Sequence, residues 1–301
     1  MRVFVLGGTG TIGTSVVAEM LERNHQIVGL SRSEESDQKL VSAGVQPLRG
    51  DLSDPTHWAE VAISCDAVIQ VAATFGDDMG DVDATAMEAL VQASNFKTKP
   101  TRLIYTGGCW LYGETGDEIA TEDRPFDPLP SFAWMVTHAE MLLKAPNLRT
   151  AVIHPAMVYD TRDGGVFCRF LSAAKAGQQI EIWGSAATRW PLIESRDLAR
   201  VYCDLAERQD LVGSFNATSE EGVPVGQIAS TLSRAYGSSQ KPVLLSVEEV
   251  VRRHGAWAKG PTLDQQMSSR KLVDATGWTP GITDFSQAIS EMIADVQDNP
   301  A

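Results

Sequence analysis

What most restricts this chain of 301 residues stands at its start. An apolar run over residues 2–6 leads into Gly7-Gly8-Thr9-Gly10-Thr11-Ile12-Gly13, and Val16, Val17, Met20 and Leu21 then recur at helical spacing. Strand, small-residue turn and helix start, in that order, make an anion cradle. Glycine lets the backbone turn tightly and approach a ligand, while the N–H groups and dipole of a helix start favour negative charge. Three glycines alone say little; between a strand and a helix at the head of a strand–helix series they point to a pyrophosphate. The expected contacts are Gly7, Thr9, Gly10, Thr11, Ile12 and Gly13.

The series continues. Further strands are expected at 26–30, 45–48, 67–72, 102–106 and 151–154, with helices at 14–23, 36–43, 56–63, 82–94 and 132–144. Each strand is a continuous apolar run, the pattern of a parallel sheet covered on both faces. Right-handed crossovers then leave a doubly wound, Rossmann-type α/β sheet with helices on both faces as the simplest topology. The remainder is less regular, with a strand at 214–217 and helices at 166–176, 195–207, 225–236, 247–254, 270–276 and 285–296. The expected organisation is a dinucleotide-binding domain over 1–160, to which 190–217 returns, and a smaller C-terminal substrate lobe formed by 161–189 and 218–301.

Composition removes several function classes. The net charge is −14 and no run of Lys and Arg makes a basic patch, so nucleic acid is not an expected partner. No stretch reaches 18 apolar residues, so no membrane span is expected. The chain opens on a strand pattern rather than an export signal, which predicts a cytoplasmic protein. Cys65, Cys109, Cys168 and Cys203 form no CxxC pair and are expected as free thiols; the five histidines are scattered and predict no metal site.

The second strand selects between nicotinamide cofactors. A site that prefers NAD(H) places Asp or Glu near the end of this strand to accept from the ribose 2′-hydroxyl. Here the residues are Gly29-Leu30-Ser31-Arg32-Ser33. Arg32 offers a planar, permanently charged fork to a 2′-phosphate, and Ser31 and Ser33 add hydroxyl donors. NADP(H) is therefore expected over NAD(H).

The GxxGxxG spacing, rather than GxGxxG, resembles that of the extended short-chain dehydrogenases/reductases, which include sugar-nucleotide epimerases and dehydratases. Other segments match that family in order along the chain. Gly50-Asp51-Leu52 resembles its adenine-contacting segment, and Val71-Ala72-Ala73 the small-residue strand end beside the cofactor. Thr106-Gly107-Gly108 with Leu111-Tyr112-Gly113 resembles the strand and loop that carry a catalytic Ser/Thr and a Tyr-Gly. His154-Pro155-Ala156-Met157-Val158-Tyr159 resembles the proline loop beside the nicotinamide, which implies contacts from Pro155 and Val158. The segments from Trp190 to Ala199 and from Ser269 to Pro280 resemble the later parts of the family. The resemblance implies a small-molecule substrate, a pocket roofed by the C-terminal lobe and the 77–83 loop, and a homodimer.

One element of the family pattern is missing. Its YxxxK dyad lies on the helix after the Thr106 strand, where Tyr and Lys share a face. The Lys holds the nicotinamide ribose and lowers the Tyr pKa, and the Tyr relays the proton. In this chain the segment reads Trp134-Met135-Val136-Thr137-His138. An indole N–H only donates a hydrogen bond and is no acid near neutral pH. Three readings follow. The first is an NADPH-dependent reductase with a substitute acid: His138, which also reaches the ribose, or Tyr112 or Tyr159, with Thr106 orienting a carbonyl or imine and Trp134 as wall or N–H donor. The second is an NADP(H)-binding redox sensor without turnover, and the third an isomerase or lyase that keeps its cofactor. Cys109, beside the site but with no basic partner in sequence, is expected to pack.

Overall fold

The structure, a computed structural model, describes residues 1–74, 76–238 and 240–298. It divides into two compact units. The first comprises Met1–Gly107, Trp134–His154 and Leu198–Phe215, and the second Gly108–Ala133, Pro155–Asp197 and Asn216–Ala301.

In chain order the first unit holds β1 (Arg2–Leu6), α1 (Thr11–Glu22), β2 (Gln26–Ser31), α2 (Glu34–Ser42), β3 (Gln46–Arg49), α3 (Ala59–Ser64), β4 (Ala67–Gln70), α4 (Met79–Ser94), β5 (Thr101–Thr106), α5 (Trp134–Lys144) and β6 (Leu148–Pro155). After β7 (Met157–Tyr159), α6 (Cys168–Lys175), β8 (Glu181–Trp183) and β9 (Arg189–Glu194), the chain forms α7 (Ser195–Glu207) and β10 (Gly213–Ala217). The central sheet has seven strands in the order β10-β6-β5-β4-β1-β2-β3, and the ladders from β3 across to β6 are parallel. This is the doubly wound arrangement, with the order reversing between β1 and β4. Ligands bind such sheets outside the carboxyl ends of the strands at that reversal.

The strands form where the apolar runs predict, because both faces are covered. Phe4, Leu6, Val68, Leu103, Tyr105 and Val152 pack with Trp58, Ala62, Ala86, Met87, Leu90 and Leu142 in one cluster. Trp58 is fully buried, stacks on Phe4 and donates its indole N–H to the Asp51 carbonyl at 2.7 Å. The buried Arg102 side chain is satisfied by three carbonyls, those of Leu205, Arg149 and Leu211, at 2.7–2.8 Å. Burial pushes its guanidinium down to about 10.

The second unit carries a three-stranded sheet in the order β11-β9-β7, with β11 at Glu220–Pro224, and a two-stranded sheet pairing β8 with β12 (Val243–Leu245). Its helices include α8 (Val225–Ala235), α9 (Val247–His254), α10 (Arg270–Thr276) and α11 (Phe285–Asp298). Arg189 grips Asp264 through its backbone N–H and its guanidinium, at 2.5–2.9 Å. Trp183 contacts the Arg169 guanidinium, 3.6 Å from its centroid, and stacks with the His254 ring at 4.7 Å.

Three local expectations change. The first helix begins at Thr11 rather than residue 14, which puts Thr11, Ile12 and Gly13 in its first turn. The 77–83 segment is mostly not a loop, since α4 starts at Met79. Five strands of the second unit (β7, β8, β9, β11 and β12) were not expected from the sequence pattern. No helix among the described residues is long and apolar enough to cross a membrane.

Candidate functional site

The glycine turn leaves the carboxyl end of β1 and enters α1 beside the reversal in strand order. Its glycines do different jobs. Gly7 has φ +87°, and a Cβ there would lie 2.6 Å from the Cα of Ala72. A Cβ on Gly13 would lie 2.0 Å from the Gly7 carbonyl oxygen. Both are closed to a side chain by the protein itself. Gly10 is not: its Cβ would meet only the Gly7 oxygen, at an ordinary 3.6 Å. As N-cap of α1, Gly10 supplies no capping side chain, and no acidic residue stands in the helix's first turn. A helix start that is neither capped nor neutralised, beside an open glycine, fits a diphosphate.

Ser31 ends β2 and is buried, donating its hydroxyl to the Ser33 carbonyl at 3.1 Å. The Ser33 hydroxyl accepts from the Ser36 N–H at 3.2 Å and so caps α2. Arg32, between them, is exposed. Asp37 is engaged by Arg49, the residue opposite Ser31 in the sheet. Asp51 closes a turn by accepting from the N–H and hydroxyl of Ser53, at 2.9 and 2.6 Å. Those bonds, with help from the positive charge of Arg32, hold its carboxyl below the usual range. Leu52, half-buried, packs on the core beneath.

Beyond β4, the Val71 N–H bonds to the Leu6 carbonyl at 3.0 Å, and the Ala72 N–H donates to Oε1 of Gln70 at 2.5 Å. Ala73 follows without regular structure. Gln70 is buried and passes the connection on, donating from Nε2 to Oδ1 of Asp83 at 2.8 Å. The other Asp83 oxygen, Oδ2, accepts from the Tyr105 hydroxyl at 2.8 Å and faces Nδ1 of His138 at 2.7 Å. Asp83 and His138 retain 8% and 13% side-chain exposure, so water scarcely competes for this pair. Burial, and then the Asp83 charge, push the Tyr105 hydroxyl far above its ordinary range, so it serves as a donor only. Trp134 precedes His138 by one helical turn and tilts against it, centroids 5.2 Å apart. A Cβ on Gly80 would lie 3.0 Å from the Trp134 ring.

Asp83 and Gln70 were not anticipated. Asp83 shares a helical spacing with the buried Ala86, Met87 and Leu90, and a lone carboxylate on an apolar helix face is the signal that marks it.

Of three hydroxyls expected to serve chemistry, two are held by other groups and the third, that of Tyr159, is buried without a hydrogen-bond partner among the described residues. Thr106 donates to the Gln70 carbonyl and is bonded to the Tyr202 hydroxyl, which leaves no O–H to orient a substrate carbonyl. Tyr112 is buried and donates to Oδ1 of Asn216 at 2.7 Å; burial pushes its ionisation up. Tyr159 is buried and stacked on Phe167, its ionisation likewise raised by burial. Both stay protonated near neutral pH and are weaker acids than a free phenol. Pro155 is buried at the end of β6, and Val158 is half-buried in β7, paired with Ile193. Cys109 is buried and its thiol is pushed up to about 12, as a packing residue requires. All four cysteines are free, and among the described residues no His, Cys, Asp and Glu cluster forms a metal site.

Comparison with known proteins gives the family and the fold. The profile of the NAD dependent epimerase/dehydratase family matches residues 3–217. An uncharacterized protein of Schizosaccharomyces pombe is 28% identical over 291 residues, covering 93% of this chain and 95% of that protein. A 2-alkyl-3-oxoalkanoate reductase of Stenotrophomonas maltophilia is 23% identical over 269 residues, covering 84% and 81%. Among solved structures, human epimerase family protein SDR39U1 with NADPH superposes with a TM-score of 0.80 at 22% identity, over 98% of this chain and 99% of that one.

Proposed function

Because this chain belongs to the NAD dependent epimerase/dehydratase family, we propose that it is an NADP(H)-dependent reductase of a small carbonyl, imine or activated alkene. The observation that carries the reading is the start of α1, uncapped and open at Gly10, with the exposed Arg32 at the end of the neighbouring strand. In this reading the Gly7–Gly13 backbone holds the diphosphate and Arg32 takes the 2′-phosphate. Asp51 and Leu52 border the adenine, and Val71, Ala72 and Ala73 line the strand end. A nicotinamide bound there supplies hydride. NADPH in a related human structure and the reductase name of a bacterial relative support the cofactor and the reaction class.

In this reading His138, bonded to Asp83 through Nδ1, serves the chemistry through its other ring nitrogen. It contacts the nicotinamide ribose or passes a proton to the reduced substrate, and Trp134 forms the adjoining wall. A substrate that needs little acid assistance suits such a site, because the Thr106 and Tyr112 hydroxyls are already bonded within the protein and burial makes Tyr112 and Tyr159 weaker acids than a free phenol.

Titration of NADPH fluorescence tests the binding. A charge-assisted hydrogen bond is worth roughly 1.5–3 kcal/mol, so Arg32→Ala should weaken NADPH by about 10- to 100-fold and leave NADH nearly unchanged. Equal losses for both would remove the 2′-phosphate from the argument. The engagement of the Thr106 and Tyr112 hydroxyls favours a second reading, a redox sensor that binds NADP(H) without turnover. Steady NADPH consumption across a panel of carbonyls, imines and enones separates the two.

A further inference from the structure

Nothing about Asp83 follows from the dyad lost at Trp134 and His138. It comes from a different helix, and its surroundings define what His138 can do. The carboxylate receives Gln70 Nε2 on one oxygen, and the Tyr105 hydroxyl and His138 Nδ1 on the other. An ionised carboxylate only accepts hydrogen bonds. Gln70 is locked the right way round, because its Oε1 is already taken by the Ala72 N–H and its amide must therefore donate to Asp83. Tyr105 is held as a donor by its burial. The same logic applies to the imidazole: the atom facing Asp83 must carry the proton.

We propose that Asp83 is a positioning residue that holds neutral His138 as the Nδ1–H tautomer, so that Nε2 stands as an acceptor for a hydroxyl of the bound ligand. The inference rests on the reading above in which His138 faces the nicotinamide ribose, and it names the partner chemistry: a sugar hydroxyl that donates. An imidazole free in water favours the opposite tautomer, so the assignment is not the default state of the side chain. It also ties two parts of the site together. The Ala72 amide lies against the glycine turn, close enough that a Cβ on Gly7 would strike Ala72. One chain of bonds thus runs from Ala72 through Gln70 and Asp83 to His138, so that the segment beneath the diphosphate and the imidazole are oriented by the same carboxylate.

The tautomer is read directly from the ring-nitrogen resonances of the ¹⁵N-histidine-labelled protein at alkaline pH, with His138→Ala assigning the signals. Wild type should show a protonated Nδ1 and an unprotonated Nε2. Asp83→Ala should lose that pattern, whereas Tyr105→Phe, which removes a neighbouring donor and leaves the carboxylate in place, should keep it. If Asp83→Ala is poorly folded, Asp83→Leu combined with Tyr105→Phe removes the acceptor at nearly constant volume and without stranding the buried hydroxyl. NADPH should shift the Nε2 resonance of wild type, and its affinity should fall by about tenfold in the variant lacking Asp83. A protonated Nε2 in wild type, or the same tautomer with and without Asp83, would overturn the proposal. Loss of NADPH binding by wild type with the tautomer as expected would instead sink the cofactor reading and leave the role of Asp83 standing.

Discussion

At Gly10 and Gly13 an added methyl group does different damage, and the difference separates folding from binding. On Gly13 it would sit 2.0 Å from a carbonyl oxygen of the glycine turn, a collision that only backbone movement relieves. Overpacking of that kind costs about 1–3 kcal/mol, so Gly13→Ala should lower the melting temperature by several degrees. On Gly10 the methyl meets nothing closer than 3.6 Å, and in the proposed reading it competes with a diphosphate at this helix start. Gly10→Ala should stay within about 1 kcal/mol of wild type in stability while losing NADPH affinity by about tenfold or more. Unaltered NADPH binding by Gly10→Ala would remove the diphosphate from this helix start. Both glycines were legible in sequence because strand, turn and helix are contiguous there. Asp83 was not, because its partners Gln70, Tyr105 and His138 come from three other elements and meet only through the topology of the sheet. The partners of Thr106 and Tyr112 were hidden for the same reason: sequence displays a hydroxyl, and only the fold displays what already holds it.

Elements of the two units differ in how plainly they are written. The strands β1, β4 and β5 centre on apolar runs, Val3–Leu6, Ala67–Ile69 and Leu103–Tyr105, because both faces of a parallel sheet are covered. In the second unit β8, β12 and β7 are three residues long, and β9 begins with Arg189 and contains Pro191, so no period emerges. One of these concealed strands carries a titratable contact. Glu220 at the start of β11 accepts from the Phe285 N–H, at the start of α11, at 2.8 Å. Burial raises its carboxyl from 4.5 to about 7, against the lowering effect of that bond. Below about pH 4.5 the group is protonated whether or not the chain is folded. Between there and about 7 the folded state holds the proton more tightly, so stability falls as pH rises through this window and is least above it. Glu220→Gln keeps an oxygen for the Phe285 N–H and removes the buried charge. Its melting temperature should exceed that of wild type above pH 7 and converge with it toward pH 4.5. A parallel decline in both proteins would assign the pH dependence to other groups.

For the whole molecule the governing quantity is charge. A chain at −14 repels an anionic dinucleotide at long range, while in the proposed reading binding is set at short range by backbone amides and by Arg32. The two ranges respond differently to salt. The screening length is about 30 Å at 0.01 M and about 10 Å at 0.1 M, so added salt removes most of the distant repulsion and leaves a contact ion pair largely intact. Encounter should therefore quicken as ionic strength rises over this interval, with the NADPH association rate increasing several-fold in stopped-flow fluorescence and the dissociation rate changing less. NADH, which lacks the 2′-phosphate, is repelled less, and its association rate should rise by a smaller factor. The opposite slope, with association slowing as salt is added, would mean that the field at the α1 start and Arg32 dominates the approach and that the acidic surface lies too far away to be felt.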